Sequence, residues 1–70
     1  MRRTYQVDYL GGTSRHLSDS QRFAVVCLDY TQNKRIVMAM GLTEQEANQR
    51  VEHLKEWFRK RYPKGELIPA

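Results

Sequence analysis

The chain has one cysteine, Cys27, among its 70 residues, so an intrachain disulfide is excluded. Disulfides and metal ions are the usual supports of so small a chain. Two isolated histidines, His16 and His53, without partner cysteines, provide no ligand set for structural zinc. Cys27 lies in the apolar run FAVVCL, where a buried and reduced thiol is expected, as in a reducing compartment. The sequence predicts no metal and no cofactor.

Long hydrophobic runs are also missing. No stretch approaches the ~20 consecutive apolar residues of a membrane-spanning helix, and the first residues lack the apolar core of a signal peptide. We therefore expect a cytoplasmic protein without a membrane partner. No repeat or linker divides the chain, so residues 1–70 are expected to form a single small domain. A domain of this size buries only about 60% of its unfolded surface, which leaves a narrow margin of stability.

A catalytic constellation is the third absence. The serines lie in a polar loop without a nucleophile-elbow motif, and the glutamates of the C-terminal half belong to a solvated helix face. Cys27 with His16 or His53 makes a formal nucleophile–base pair, but a cysteine in the middle of an apolar strand is far more often a core residue. We expect a protein that is not an enzyme.

Apolar periodicity predicts three β-strands, over residues 4–10 (TYQVDYL), 22–30 (RFAVVCLDY) and 35–40 (RIVMAM). The first alternates, whereas the second is apolar on both faces, as a central strand would be. Between the first two strands, residues 11–21 form a flexible polar loop of the kind that often carries function.

The second and third strands are separated by TQNK, short enough for a hairpin in which Asn33 adopts the left-handed conformation. A three-residue loop ending at Asn33 predicts that Asp29 pairs with Arg35 and that Val26 pairs with Met38.

A helix is predicted over residues 44–62. Thr43 and Glu46 form a capping box, and Pro63 ends the helix, leaving an extended tail over residues 63–70. Five apolar residues recur at spacings of four and three and make one stripe: Ala47, Val51, Leu54, Phe58 and Tyr62. The predicted fold class is α+β, a three-stranded antiparallel β-meander followed by one long C-terminal α-helix packed on one sheet face (β-β-β-α).

One helix covers one sheet face and leaves the other to be explained. Suppose that alternate residues of the second and third strands face the helix: Ala24, Val26, Leu28, Ile36, Met38 and Met40. The opposite face then carries an apolar set that monomers seldom leave bare: Phe23, Val25, Cys27, Val37 and Ala39. We interpret this set as an interface with a partner or with a second copy in a homodimer, by stacking sheets or by pairing edge strands. In the alternative, the loop, through Leu17, or the Leu67–Ile68 tail folds over it.

Twelve lysines and arginines against eight acidic residues give a net charge of +4, which is compatible with nucleic acid or an acidic protein as partner. On a helical wheel one edge of the predicted helix carries basic groups around an indole: Arg50, His53, Trp57, Lys60 and Arg61. Arg15 of the loop adds a further cation. Such an edge can contact phosphates and stack on a base, or serve as a protein hot spot. Alternatively, Trp57 closes the core and the cations balance the helix dipole.

The order strand, strand, strand, helix, with GLTEQEA opening the helix, resembles the arm-type DNA-binding domains of phage integrases. It also resembles the sheet and last helix of double-stranded-RNA-binding domains, in both cases over about residues 22–58. The size and mix of features are similar to small phage or mobile-element proteins that inhibit or redirect a host complex.

The sequence thus predicts a small non-enzymatic regulatory protein that binds nucleic acid through the basic helix edge. Duplex DNA is the favoured target. The alternative is a protein-binding module or inhibitor of a host complex that acts through the apolar outer sheet face and Trp57.

Overall fold

The structure, a computed structural model, describes residues 1–11 and 20–70. Their elements are β1 (Arg2–Tyr9), β2 (Phe23–Asp29), β3 (Lys34–Leu42), α1 (Glu44–Arg61) and β4 (Glu66–Leu67). They form one sheet in the order β3-β2-β1-β4, in which β4 is parallel to β1 and the other neighbours are antiparallel. The predicted α+β class with one C-terminal helix is confirmed, and β4 makes the sheet four-stranded and mixed.

Most of the predicted polar loop, with Arg15, His16 and Leu17, lies outside the described residues. Among the described residues, no helix is both long enough and apolar enough to cross a membrane.

The hairpin between β2 and β3 has the expected left-handed residue, Asn33, with φ of 55°. The predicted register is wrong by one residue: Asp29 pairs with Lys34, and Val26 pairs with Val37. The cause is a turn of four residues, 30–33, instead of three.

The Asp29 carboxylate holds this turn. Its Oδ1 accepts hydrogen bonds from the backbone N–H groups of Thr31 and Gln32, each at 3.0 Å. A carboxylate that binds backbone N–H groups two and three residues ahead closes a turn locally. The longer turn is therefore fixed by a side chain as well as by the strand pairing.

The capping box at the start of α1 forms as predicted. Thr43 Oγ1 accepts from the Glu46 backbone N–H at 3.2 Å, and Glu46 Oε1 accepts from the Thr43 backbone N–H at 3.0 Å. This backbone donor is the main reason that the pKa of Glu46 is lowered. Along the helix, Ala47, Val51 and Phe58 are buried against the sheet.

The predicted orientation of β2 was wrong. Val25 and Cys27 belong to the core beneath α1, and Phe23 and Ala39 pack against it. The sequence pattern predicts all four on the face opposite the helix. The reason lies in the pairing with β1, where Cys27 lies opposite Tyr5 and Tyr5 also belongs to the core.

The face of the sheet opposite α1 is covered in part by polar side chains. Ala24 and Val26 lie on this face and are 1% and 0% exposed. From β3, Arg35 reaches across β2 to Asp8 of β1, with 2.8 Å between Nη2 and Oδ2. Gln6 Nε2 donates to the other oxygen of Asp8 at 2.9 Å. Of the predicted interface set, Val37 is the member on this face, paired with Val26.

The C-terminal tail, predicted to be extended, forms β4 beside β1. The backbone N–H of Glu66 donates to the Met1 carbonyl at 2.8 Å, and that of Ile68 to the Arg3 carbonyl at 2.9 Å. Just before β4, a Cβ on Gly65 would lie 2.7 Å from Cζ of Phe58. Glycine lets the chain pass directly beside this core ring.

Candidate functional site

The helix lies to one side of the sheet and leaves β3 largely uncovered. Ala39 and Leu42 of β3 pack against the core. The remaining large apolar side chains of the strand are exposed by 43%, 45%, 45% and 61%: Ile36, Val37, Met38 and Met40. β3 is also the last strand of the described sheet. We call these four residues and the free backbone edge of β3 the open edge.

The two flanks of α1 face different strands. On one side, Asn48, Glu52 and Lys55 line a cavity together with residues of β1. On the other, Leu42 at the end of β3 lines a cavity of about 260 Å³, together with Glu46, Gln49, Arg50 and His53. Farther along this second flank, His53, Trp57 and Lys60 border a shared depression. The second flank therefore faces β3.

The structure brings together five of the six residues predicted to bind nucleic acid or a partner. All five are exposed on the β3-facing flank or at its end: Arg50, His53, Trp57, Lys60 and Arg61. The sixth, Arg15, lies outside the described residues. We call the group of five the basic flank.

Trp57 is the aromatic centre of the basic flank. Its side chain is 49% exposed, and its ring meets the Tyr62 ring edge-on with 6.1 Å between centroids. The Arg61 guanidinium lies over the same Tyr62 ring, 5.3 Å from its centroid. The indole is therefore supported on one side and open to solvent on the other.

Lys34 lies at the same end of the sheet as the C-terminal end of the basic flank, which sequence reasoning missed. In the sheet, Lys34 pairs with Asp29, and Asp29 pairs with Arg3. The Arg3 guanidinium in turn lies over the rings of Phe58 and Tyr62, 5.7 and 5.4 Å from their centroids. The start of β3 and the end of α1 thus lie at the same end of the molecule.

Asp29 does not neutralise Lys34, because its charge is engaged elsewhere. Arg3 Nε lies 3.3 Å from Asp29 Oδ2, with both side chains largely buried. The backbone N–H of Gln32, followed by this guanidinium, keeps the pKa of Asp29 below its usual value. The carboxylate is therefore ionised and paired inside the fold, while Lys34 remains exposed.

Several cations of α1 and its surroundings are available to a ligand. Lys60 pairs with Glu56 at 3.4 Å, but both side chains are exposed, and such pairs are weak. Considering residues 1–11 and 20–70 only, five cations form no ion pair: Lys34, Arg50, Arg59, Arg61 and Lys64.

The described residues offer little support for a metal site or for a nucleophilic cysteine. They contain no cluster of three or more histidine, cysteine or carboxylate side chains that could hold a metal ion. The thiol of Cys27 is 2% exposed, and burial raises its pKa, which disfavours the nucleophilic thiolate.

No protein-family model, curated protein or solved structure matches the chain.

Proposed function

We propose that the chain is a small non-enzymatic regulatory protein that binds nucleic acid, with duplex DNA as the main target. The contact surface is the basic flank with Lys34 of β3. The observation that carries the proposal is the half-exposed indole of Trp57, which lies on the same flank of α1 as four exposed basic residues.

The cations supply the affinity in this proposal. Arg50, Lys60, Arg61 and Lys34 can each approach a phosphate and displace a counterion. Four phosphate contacts predict that log K falls by about 3.6 for each tenfold rise in salt, at roughly 0.9 per phosphate. Trp57 adds a flat apolar surface that can pack on a sugar or a base.

Charge reversal at two positions of one helical turn tests the proposal. Arg59 and Arg61 are both exposed and both lie in the last turn of α1, but they point about 160° apart around the helix axis. Replacing either by Glu changes the net charge equally, whereas only Arg61 also contacts the Tyr62 ring. Only Arg61 belongs to the basic flank.

We expect Arg61→Glu to weaken binding of a fluorescently labelled duplex by about tenfold or more and to lower the salt slope by about one. Arg59→Glu is the matched control and should weaken binding far less. Anisotropy titrations over a range of salt measure both quantities, and thermal unfolding checks that both variants fold. Equal losses from the two variants, or no binding by the unmodified chain at low salt, would contradict the proposal.

A second candidate, a protein-binding module or inhibitor of a host complex, is favoured by the open edge. An extended segment of another protein can add to a free strand edge through main-chain hydrogen bonds, and apolar surfaces of this kind are seldom left bare. Such binding would depend little on salt and would survive Arg61→Glu. The anisotropy titrations with the labelled duplex separate the two candidates, because only nucleic-acid binding predicts the steep salt dependence and the loss with Arg61→Glu.

A further inference from the structure

We propose that β3 pairs with the β3 strand of a second copy of this chain. The two strands run antiparallel around a two-fold axis, and the two four-stranded sheets become one continuous sheet. This inference goes beyond the nucleic-acid proposal and does not depend on it, and it gives the open edge a different occupant from the protein-binding candidate. It rests on the backbone edge, the side chains and the charges of β3.

The backbone edge of β3 is open to strand pairing, and its stretch Lys34–Val37 is regular, whereas register shifts opposite Phe23–Val26 of β2 make its second half irregular. The strand is nine residues long, Lys34–Leu42, and only β2 pairs with it in the described sheet. A strand edge of this length presents a row of N–H and C=O groups that another strand can pair with.

The side chains of β3 favour the same contact. Ile36 points to the helix side, as does its neighbour Cys27, whereas Val37 points to the opposite side with Val26. Both are close to half exposed. A strand added at this edge would therefore cover apolar side chains on both faces of the sheet, which is the main source of stability between paired strands.

Charge selects a second copy in antiparallel orientation. β3 begins with the cation Lys34 and is followed at its other end by Glu44 and Glu46 in the first turn of α1. With a two-fold axis near Met38, Lys34 of one copy lies beside Leu42 of the second copy, two residues before its Glu44. The axis repeats this contact, whereas parallel pairing would place lysine against lysine.

The assembly closes at two copies. A two-fold contact through β3 uses the same surface on both copies, so forming it leaves neither copy with a second β3 edge to offer. On the far side of each sheet, β4 is only two residues long and pairs with Arg2 and Arg3 of β1.

The test is the mass of the unmodified chain and of two variants, without nucleic acid, by sedimentation equilibrium from low to high micromolar concentration. We expect a mass of two chains of 8.3 kDa each. Met38→Lys should give the mass of one chain, because it places two lysines together at the axis. Tyr9→Lys is the matched control, since Tyr9 is also exposed but lies on β1, and it should remain dimeric.

A charge exchange tests the orientation. Lys34→Glu should weaken the dimer by about tenfold, because the new carboxylate faces Glu44 of the second copy. Adding Glu44→Lys to the same chain should restore it. Circular dichroism confirms folding of every variant.

A single-chain mass for the unmodified protein, an open-ended assembly, a dimer that survives Met38→Lys, or no rescue by the exchange would each overturn the inference. Failure of the nucleic-acid proposal is recognised separately. A chain that is dimeric in sedimentation but binds no duplex in the anisotropy titrations contradicts that proposal and leaves this inference intact.

Discussion

Asp29 connects three parts of the fold through one carboxylate. Oδ1 holds the turn between β2 and β3 through two backbone N–H groups, and Oδ2 pairs with Arg3 of β1. Arg3 Nη1 also donates to the Tyr5 hydroxyl at 3.1 Å. The residue that shapes the turn therefore also places Arg3 beneath the aromatic rings at the end of α1.

Asp29→Asn should destabilise the fold in a pH-dependent way. The folded pKa lies below the unfolded value of 3.8, so the stabilisation is present above the unfolded pKa and is lost as the pH falls through the folded one. We expect the difference in unfolding free energy between the unmodified chain and Asp29→Asn to be constant above about pH 5 and to shrink below about pH 4.

Urea unfolding at a series of pH values measures this difference. Glu66→Gln, which removes an exposed pair with Arg2, is the control and should change stability little at any pH. A difference that stays constant down to the most acidic condition would rule out the assigned role of the carboxylate.

At the scale of the elements, the helix was predictable because its signals are local. The capping residues and Pro63 lie next to its ends in the sequence, and α1 begins at Glu44 and ends at Arg61, close to the predicted limits. β4 carried no such signal, since a two-residue strand has no periodicity and exists through its contact with β1.

The orientation of β2 could not be predicted from the strand itself. Its residues are apolar on both faces, so alternation does not distinguish them, and the long connection to β1 leaves the register of the pair open. Irregularities in the β2–β3 ladder, between Phe23 and Val26, also interrupt the alternation in β3. The alternating strand β1 decides the matter, because its apolar Tyr5 and Val7 lie opposite Cys27 and Val25.

The capping box allows a prediction for α1 as an element. Thr43→Ala should lower the unfolding free energy by about 1 kcal/mol, because the backbone N–H of Glu46 loses its acceptor. Thr43→Ser keeps the hydroxyl and should retain most of the stability. Urea denaturation of the three proteins measures the effect, and equal losses for alanine and serine would show that the hydroxyl does not act as the cap.

At the scale of the whole molecule, the helical period was enough to group Arg50, His53, Trp57, Lys60 and Arg61. It did not show which strand they would face, nor that Lys34 would lie at the same end of the molecule. That required the row from Lys34 through Asp29 to Arg3, which crosses three strands and is set by two registers. The open edge was likewise hidden, because it results from the position of α1 to one side of the sheet.

Because Cys27, the single cysteine of the chain, is buried, the rate at which its thiol is labelled reports how often the domain opens. The residue lies in a central strand with 2% exposure, so a thiol reagent reaches it mainly when the sheet separates from α1. For a domain of ordinary stability, labelling should be slower than in the urea-unfolded chain by a factor of about 10³ or more.

Labelling rates measured at several protein concentrations extend this use. If β3 pairs between copies, labelling that requires unfolding of the whole domain should slow as the concentration rises, because unfolding also removes the chain from the dimer. A rate equal to that of the unfolded chain would contradict the buried position of Cys27, and a concentration-independent rate would count against pairing. The labelling rate of this one thiol therefore reports both the opening of a single copy and the separation of two copies.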